Sequence, residues 1–331
     1  MIGTGVWNWA LSQYINRPVT PTAFDLNNAT TGHASRIGFN ATALQGIIKD
    51  ADLAWRDYRS GLRGRPRWKG QRNRLSSIPF RQSVGIKGRK VRIPSLGFVK
   101  AKGFRGLPDA PIKTCRLIRR PRGWYFSIVL DAESKAIPLA GDAAVGVDLG
   151  YSTLATLSTG EKIAAPNEYR RRAERLGQAQ RGRRTKLIGR IQQSNALARR
   201  TRNHQISRDL VSRFGAIYVS RDNIRGIQRR FGKSVLNAGH GELITMLASK
   251  CRQAGRVFVE VPSKNSTRTC SSCGSLEGPT GLRGLSVREW ACACGALHDR
   301  DINAAMVTLK LGAVLAHEMA REGQSEISVH R

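Results

Sequence analysis

The chain is poor in acidic residues and has no long apolar run. Its 331 residues include 23 Asp and Glu against 56 Lys and Arg, which gives a formal net charge of +33 at pH 7. No segment approaches the roughly 18 consecutive apolar residues of a membrane-spanning helix. The segment from Met1 to Trp9 lacks the basic flank and apolar run of a signal peptide. We therefore expect a cytoplasmic protein without a membrane partner.

The excess of positive charge predicts a polyanionic partner. Hydrophobic residues make up 40% of the chain, which also has 34 Gly and 12 Pro, values close to those of globular proteins. A disordered basic tail would contain far fewer apolar residues. We expect folded domains with a basic surface, and at about 150 residues per domain the length predicts two of them.

Cysteine is scarce, and its distribution is uneven. Two of the six cysteines stand alone, whereas four are clustered near the C-terminal end: Cys270, Cys273, Cys292 and Cys294. A C-x-x-C pair and a tighter C-x-C pair, separated by a glycine-rich loop, supply the four thiolates of a closed tetrahedral zinc site. A site of this kind has no open position for chemistry, so we expect structural Zn²⁺.

Basic and aromatic residues alternate from Arg56 to Arg74, with Asp57 as the only acid. Cationic groups contact phosphates and aromatic faces stack on unpaired bases, so this composition favours a nucleic-acid partner over a solvated loop. The candidate nucleic-acid-binding residues of the segment are Arg56, Arg59, Arg63, Arg65, Arg67, Trp68 and Lys69.

The rest of the chain has an α/β pattern. Short apolar runs between residues 78 and 130 predict a small sheet or barrel. Apolar strands at 145–149, 154–157, 216–219 and 257–261 alternate with helical segments, which is typical of an α/β unit. The stretch 169–208 predicts a helix pair with one basic face, and five more candidate nucleic-acid-binding residues belong to it: Arg170, Arg171, Arg172, Arg183 and Arg184. We place a domain boundary near residue 140.

Two aspartates fall at the ends of predicted elements. Asp148 closes a strand before Gly150, and Asp301 precedes a helix whose apolar stripe is formed by residues 302, 306 and 309. Taken singly, a turn residue and a helix N-cap are ordinary interpretations. Together, on the first strand and the closing helix of an α/β unit in a basic chain, they indicate two carboxylates that hold Mg²⁺ beside a phosphodiester.

Four motifs carry a resemblance to a known family. They are GVDLG at 146–150, TRTCSSCG at 267–274, VREW at 287–290 and HDRDINAA at 298–305. The chain resembles the transposon-encoded TnpB proteins and their relatives, the small type V CRISPR effectors, from about Val6 onward. The resemblance implies an RNA-guided DNA nuclease of the bacterial cytoplasm or nucleoid, with guide RNA and target double-stranded DNA as partners.

The resemblance also implies a fold. Residues 1–140 would form an N-terminal wedge β-barrel plus a helical recognition lobe, and residues 141–331 a ribonuclease H-like (RuvC) domain with a zinc ribbon inserted at about 264–298. Members of this family usually have a strand before the Trp-Asn-Trp helix with which this chain starts, so we expect either an incomplete barrel or a true start upstream of Met1. Asp148 resembles the first RuvC acid and Asp301 the last, with Asp299 as its neighbour in the motif.

The middle RuvC acid has no counterpart. Members of the family usually have a Glu directly after the strand that corresponds to 216–219. At that place this chain has Ser220-Arg221-Asp222. One branch of the family instead has this Glu seven positions before the first zinc cysteine, where this chain has Ser263. Glu260 is a weak substitute because strand alternation turns it to the opposite face from Val259 and Val261. Two further weak candidates are Asp222, in a loop, and Glu242, at a helix start.

With two carboxylates, the Mg²⁺ site is weakened. We therefore expect a protein that keeps guided DNA binding, has lost or nearly lost cleavage, and acts by occupying its target. One alternative is an active Mg²⁺-dependent endonuclease that uses a relocated Glu. Another is a basic zinc protein that binds RNA without DNA targeting.

Overall fold

The computed structural model describes residues 2–71, 73–80, 84–94, 96–103, 107–133, 136–165, 168–221, 238–280, 284 and 286–321, with backbone only for 168–170. The chain divides into two compact units, Met1–Glu133 and Ser134–Arg331. Among the described residues, no helix has the length and apolar character needed to cross a membrane.

The first unit begins with a helical cluster. Its helices are α1 (Ile2–Asn16), α2 (Ala23–Ala29), α3 (His33–Arg36) and α4 (Ala41–Arg59). A capping box of Thr22 and Asp25 starts α2, and the Asn40 side chain caps α4. Trp7 and Tyr14 of α1 pack with Ile47 and Ile48 of α4 in a buried core.

Two three-stranded antiparallel sheets complete the first unit. Their strands are β1 (Ser77–Phe80), β2 (Gly85–Lys87), β3 (Lys90–Ile93), β4 (Gly97–Lys100), β5 (Ile112–Arg120) and β6 (Gly123–Leu130). The orders are β1-β5-β6 and β2-β3-β4. Phe80, Val91 and Cys115 belong to one core cluster shared by both sheets. The short strands predicted between residues 78 and 130 are confirmed.

The second unit is built on a five-stranded sheet. It contains β7 (Ala144–Leu149), β8 (Thr153–Leu157), β9 (Lys162–Ala164), α5 (Glu168–Arg181), α6 (Thr185–Arg213), β10 (Ala216–Arg221), α7 (His240–Ala254) and β11 (Val257–Pro262). The strand order is β11-β10-β7-β8-β9, with β11, β10 and β7 parallel and β8 antiparallel to both neighbours. The predicted α/β order is confirmed.

A hairpin and a long helix close the second unit. They are β12 (Glu289–Ala291), β13 (Leu297–Asp299) and α8 (Arg300–Arg321). The stripe predicted for this helix is wrong in detail, because Met306 is 38% exposed while Ala304, Ala305 and Gly312 are buried. Small residues on this face allow the helix to approach the sheet closely.

The two faces of the five-stranded sheet pack on different helices. Val147, Ile217 and Phe258 belong to one core with Leu210 of α6 and Leu243 of α7. Tyr218, Val259 and Val261 pack with Leu309 of α8 in another. Since successive side chains of a strand alternate between faces, Asp148 and Ser220 lie on the α8 face.

Candidate metal centres and nucleic-acid surface

The four clustered cysteines converge on one point. Their Sγ atoms all lie within 4.8 Å of one another. The distance from Cys270 to Cys294 is 3.8 Å and from Cys273 to Cys292 is 3.6 Å. A tetrahedral Zn²⁺ with Zn–S bonds of about 2.3 Å would separate the sulfur atoms by about 3.8 Å, so the four positions fit zinc.

Glycine turns shape both cysteine pairs. Gly274 and Gly295 each follow a second cysteine and have positive φ angles of 84° and 86°. Their N–H groups donate to the carbonyls of Cys270 and Cys292, both at 2.9 Å. This left-handed backbone favours glycine and turns both thiols of a pair toward the same point. The tighter C-x-C pair therefore still closes the cluster.

Hydrogen bonds to Ser275 prepare one thiol for metal binding. The Sγ of Cys273 lies 3.2 Å from the Ser275 hydroxyl oxygen. Hydrogen bonds with the side chain and backbone of Ser275 lower the pKa of Cys273 to about 6. This shift favours the thiolate, which is the metal-binding form. Burial raises the pKa of the solitary Cys115 to about 11, so that residue remains a thiol.

Helix α8 holds the first cysteine turn through Asn303. The Asn303 Oδ1 accepts a hydrogen bond from the Ser271 N–H, and its Nδ2 donates to the Thr269 carbonyl, both at 2.8 Å. Asn303 is 1% exposed. The Nε2 atom of His298 also lies 3.0 Å from the Cys270 sulfur. The cysteine cluster and the start of α8 are therefore one connected structure.

Asp148 lies beside a serine. Its Oδ1 accepts a hydrogen bond from the Ser220 hydroxyl at 3.1 Å, and the Ser220 oxygen accepts one from the Leu149 N–H at 3.1 Å. Parallel pairing of Val147 with Val219 places these residues side by side on β7 and β10. Ser220 is only 2% exposed. Ser220, which follows the apolar run of β10, therefore faces the Asp148 carboxylate.

Asp299, rather than Asp301, caps α8. Its Oδ1 accepts hydrogen bonds from the N–H groups of Asp301 and Ile302, both at 3.0 Å, and its Oδ2 lies 2.6 Å from the Lys162 ammonium. Burial raises the pKa of Asp299, but Lys162 and the two N–H groups outweigh it, so the net pKa is lowered. The capping interpretation of Asp301 is wrong, and its carboxylate instead lies 3.6 Å from Arg288.

Close packing joins the elements that carry Asp148 and Asp301. A Cβ at Gly146 would lie 2.1 Å from the Ala305 carbonyl oxygen and 2.6 Å from the Leu309 nitrogen, so only glycine fits there. Gly146 precedes Asp148 by two residues on the same face of β7, and Ala305 follows Asp301 by one helical turn. The two acids therefore belong to contacting elements, on the face between β7 and α8.

The other acidic candidates lie elsewhere. Glu260 forms an ion pair with Arg221 at 3.0 Å. Because side chains alternate along a strand, Glu260 lies on the same face of β11 as Phe258, which is the face opposite α8. Glu242 pairs with Arg199 at 3.3 Å in the first turn of α7. Ser263 is half-buried just beyond β11, and its N–H donates to the Arg221 carbonyl. Asp222 lies outside the described residues.

The basic segment of the first unit continues from α4. Arg56 pairs with Asp52 at 2.8 Å, Arg63 with Asp57 at 3.2 Å, and Arg59 donates to the Thr20 hydroxyl. The loop then follows α1, where Asn8 exchanges two hydrogen bonds of 2.8 Å with the backbone of Lys69. Of the seven candidate residues, Lys69 is half-buried, and the other six are exposed: Arg56, Arg59, Arg63, Arg65, Arg67 and Trp68.

The arginines of the second unit belong to the α5–α6 hairpin. Arg171 is exposed on α5, and Arg172 donates to the Asn195 side chain of α6 at 2.9 Å. Arg183 and Arg184 are exposed in the turn, where Arg183 has a φ of 49°. The side chain of Arg170 lies outside the described set. This hairpin confirms the predicted helix pair.

In the sequence, Ser220 stands where relatives usually have a Glu, but its contact with Asp148, 72 positions away, is not evident from any local pattern. Two further residues of the site carry no sequence signal of their role. Asn303 and His298 occur in the HDRDINAA motif without a metal-binding spacing that would reveal them. Their roles follow from contacts across a fold, and sequence spacing reports only local neighbours.

Comparison with known proteins shows which proteins the chain is similar to. Residues 240–308 match the protein-family model described as Cas12f1-like, TNB domain. The fold resembles that of Cas12f1 solved by cryo-electron microscopy in a Cas12f1–sgRNA–target DNA complex, with a TM-score of 0.55, 13% identity, and coverage of 93% of this chain and 80% of that one.

Two curated relatives match most of the chain. A Streptomyces pristinaespiralis protein named "Putative RNA-guided DNA endonuclease" is 28% identical over 316 residues, which cover 87% of this chain and 78% of the relative. InsQ of Escherichia coli (strain K12), which has the same descriptive name, is 26% identical over 317 residues, with 85% and 77% covered. The predicted resemblance to the TnpB and type V effector family is confirmed.

Proposed function

We propose that the protein binds DNA under the direction of a guide RNA and cleaves it poorly or not at all, acting by target occupancy. The observation that carries this proposal is the serine at position 220. It faces Asp148 at 3.1 Å, where a third metal-binding carboxylate would be expected. The relatives named as RNA-guided DNA endonucleases and the solved complex with sgRNA and target DNA support guide RNA and target double-stranded DNA as its partners.

The second unit is proposed as a ribonuclease H-like (RuvC) domain. Support comes from the mixed sheet, in which an antiparallel hairpin continues into two parallel strands, and from the aspartate on its first strand. In this proposal, residues 1–140 form the wedge barrel and recognition lobe, 141–331 the RuvC domain, and about 264–298 an inserted zinc ribbon. The basic residues from Arg56 to Lys69 and from Arg170 to Arg184 would contact nucleic-acid phosphates.

The residues on the α8 face fit Mg²⁺ incompletely. Asp148 and Asp301 supply two carboxylates, the oxygen ligands that Mg²⁺ prefers. Strands β10 and β11 are described in full, and none of their positions facing α8 is acidic: Ala216, Tyr218, Ser220, Val257, Val259 and Val261. A two-metal site stabilises the attacking and the leaving oxygen of phosphodiester cleavage, and it needs more anionic ligands than Asp148 and Asp301 provide. We therefore assign Asp148 and Asp301 as remnant acids.

Zinc is proposed to have a structural role. The four thiols would fill a tetrahedral coordination shell, leaving no position for substrate or water. Through Asn303 and His298, the bound ion would stabilise the turn that leads into α8. Because Asp301 lies in the first turn of that helix, the zinc site also fixes the backbone that carries it.

The proposal is tested first by the nucleic acid that the protein retains. The full chain is purified from its host at low salt, and the bound small RNA is sequenced. A duplex complementary to that RNA is then used in mobility-shift assays with Mg²⁺. We expect guide-dependent binding whose affinity falls with salt by a slope of about 0.9 per neutralised duplex phosphate. Purified protein without a defined small RNA, or binding that ignores guide complementarity, would contradict the proposal.

A second candidate function is an active RNA-guided endonuclease. It is favoured by the names of the two relatives, both of which describe endonucleases. It requires a third ligand from outside the α8 face of β10 and β11, such as a Glu260 released from Arg221. Cleavage of the cognate duplex by the parent chain, abolished by Asp148→Ala, would select this function instead.

A further inference from the structure

We propose that Arg119 and Trp124 in the first unit form a binding site for one unpaired nucleobase of a single-stranded nucleic acid. The site is an open groove of about 450 Å³, whose lining includes Thr4, Arg74, Leu75 and Arg120 in addition to this pair. The proposal rests on the proposed function only in taking nucleic acid as the ligand. It adds a base-contacting residue, Trp124, that lies outside the two basic segments discussed above, the first of which ends at Arg74 in this groove.

Trp124 lies on the core-facing side of its strand, but at a position past the edge of the core. On β6, Trp124 shares a face with Phe126 and Ile128, which pack against the core of the first unit. Register pairs Phe126 with Leu117 and Trp124 with Arg119. The row therefore passes from partly buried apolar side chains to an aromatic–guanidinium pair, in which Trp124 is 59% exposed. An indole presented in this way is an open apolar surface rather than a core residue.

The groove is fixed by backbone contacts on both sides. The Arg119 N–H donates to the Ser76 carbonyl at 2.8 Å, and the Leu75 N–H donates to the Thr4 hydroxyl at 3.3 Å. These bonds hold β5, the segment before β1 and helix α1 together. A ligand would consequently meet a preformed surface, which lowers the entropic cost of ordering it.

Positive charge surrounds the indole. The Arg119 guanidinium lies 5.8 Å from the Trp124 ring centroid. Arg74 and Arg120 are exposed in the same groove, and within the described part of the chain neither is within ion-pair distance of a carboxylate. An aromatic face flanked by guanidinium groups matches a base attached to its phosphates, because the base stacks on the indole and the phosphates contact the arginines.

Abasic oligonucleotides separate stacking from charge. The full-length chain, freed of co-purifying nucleic acid, is titrated with a 12-nucleotide oligouridylate and with a 12-mer of the same backbone that lacks bases. We expect Trp124→Ala to weaken oligouridylate binding by roughly 5-fold to 100-fold, the effect of losing one base stack, and to change abasic binding by less than about 2-fold. Arg119→Gln should weaken the binding of both the oligouridylate and the abasic 12-mer.

Two variants control for folding and for loss of exposed apolar surface. Trp124→Phe keeps an aromatic face and should retain most of the affinity, and Val129→Ala truncates a 51% exposed residue on the opposite face of the same strand. Equal losses for base-bearing and abasic ligands, or no loss in Trp124→Ala, would overturn the proposal. Parallel titrations with oligothymidylate identify whether RNA or DNA is preferred. None of these titrations needs a guide, so their failure is distinct from failure of guided targeting.

Discussion

The Ser220 hydroxyl donates to the Asp148 carboxylate at 3.1 Å across two parallel strands. This relationship gives the first prediction. Ser220→Glu should introduce a carboxylate beside Asp148, which repels it in the absence of metal and shares a divalent ion in its presence. Without Mg²⁺, the melting temperature of the variant should be lower than that of the parent. Added Mg²⁺ should raise the melting temperature of the variant more than that of the parent.

Guided cleavage provides the second readout for that variant. We expect Ser220→Glu, Ser263→Glu or both to raise Mg²⁺-dependent cleavage of the cognate duplex, because each offers a third carboxylate near the end of β10 or β11. Ser220→Gln is the matched control, similar in size to Glu but uncharged. If both Glu variants bind target as well as the parent and neither gains cleavage, the missing acid is not what limits catalysis.

The Asn303 side chain should link zinc retention to helix α8. Asn303→Ala leaves the Ser271 N–H and the Thr269 carbonyl without their buried partner, at a cost of about 2 to 4 kcal/mol in the free energy of unfolding. We expect faster zinc loss to a chelator and faster amide hydrogen exchange at 269–271 and in the first turns of α8. Asn73→Ala, at an exposed site, is the control. Unchanged zinc release would disprove the link.

Asp299 has two separable roles. Asp299→Asn keeps an oxygen that can cap α8 but loses the charge paired with Lys162, so the stability loss should be below about 1 kcal/mol. Asp299→Ala also loses the cap and should cost about 1 kcal/mol more. Urea unfolding of the zinc-loaded chains measures both values. Equal destabilisation by the two substitutions would show that the cap contributes nothing.

Protonation of His204 should lower the stability of the folded chain on mild acidification. Partial desolvation lowers the pKa of this exposed imidazole, and Lys250 and Arg200 lower it further against the opposing effect of Glu242. The unfolded chain therefore takes up this proton at higher pH than the folded chain, so stability is complete above about pH 6.5 and falls as the pH drops through the folded pKa. His204→Gln should lose less stability than the parent between pH 7 and pH 5. Histidine NMR titration should place the His204 pKa below 6.5, and a higher value would contradict this account.

The sequence predicts the elements better than the contacts between them. Apolar runs at 145–149, 216–219 and 257–261 mark the parallel strands, because a strand buried on both faces must be apolar. Cysteine spacing identifies the cluster of four thiols, since each pair is local. The Ser220–Asp148 contact depends on strand register between distant segments, which no local pattern fixes. A cap was one ordinary interpretation of Asp301, whereas the structure has Asp299 as the cap, because helix boundaries depend on which side chain reaches the terminal N–H groups.

The most direct test of the central claim measures binding and cleavage in one reaction. The parent chain with its own guide RNA is mixed with a labelled cognate duplex and Mg²⁺, and target occupancy and strand breaks are counted from the same samples. We predict near-complete occupancy with no cleavage above that of an Asp148→Ala, Asp301→Ala control. Rapid cleavage by the parent, lost in the control, would contradict the account.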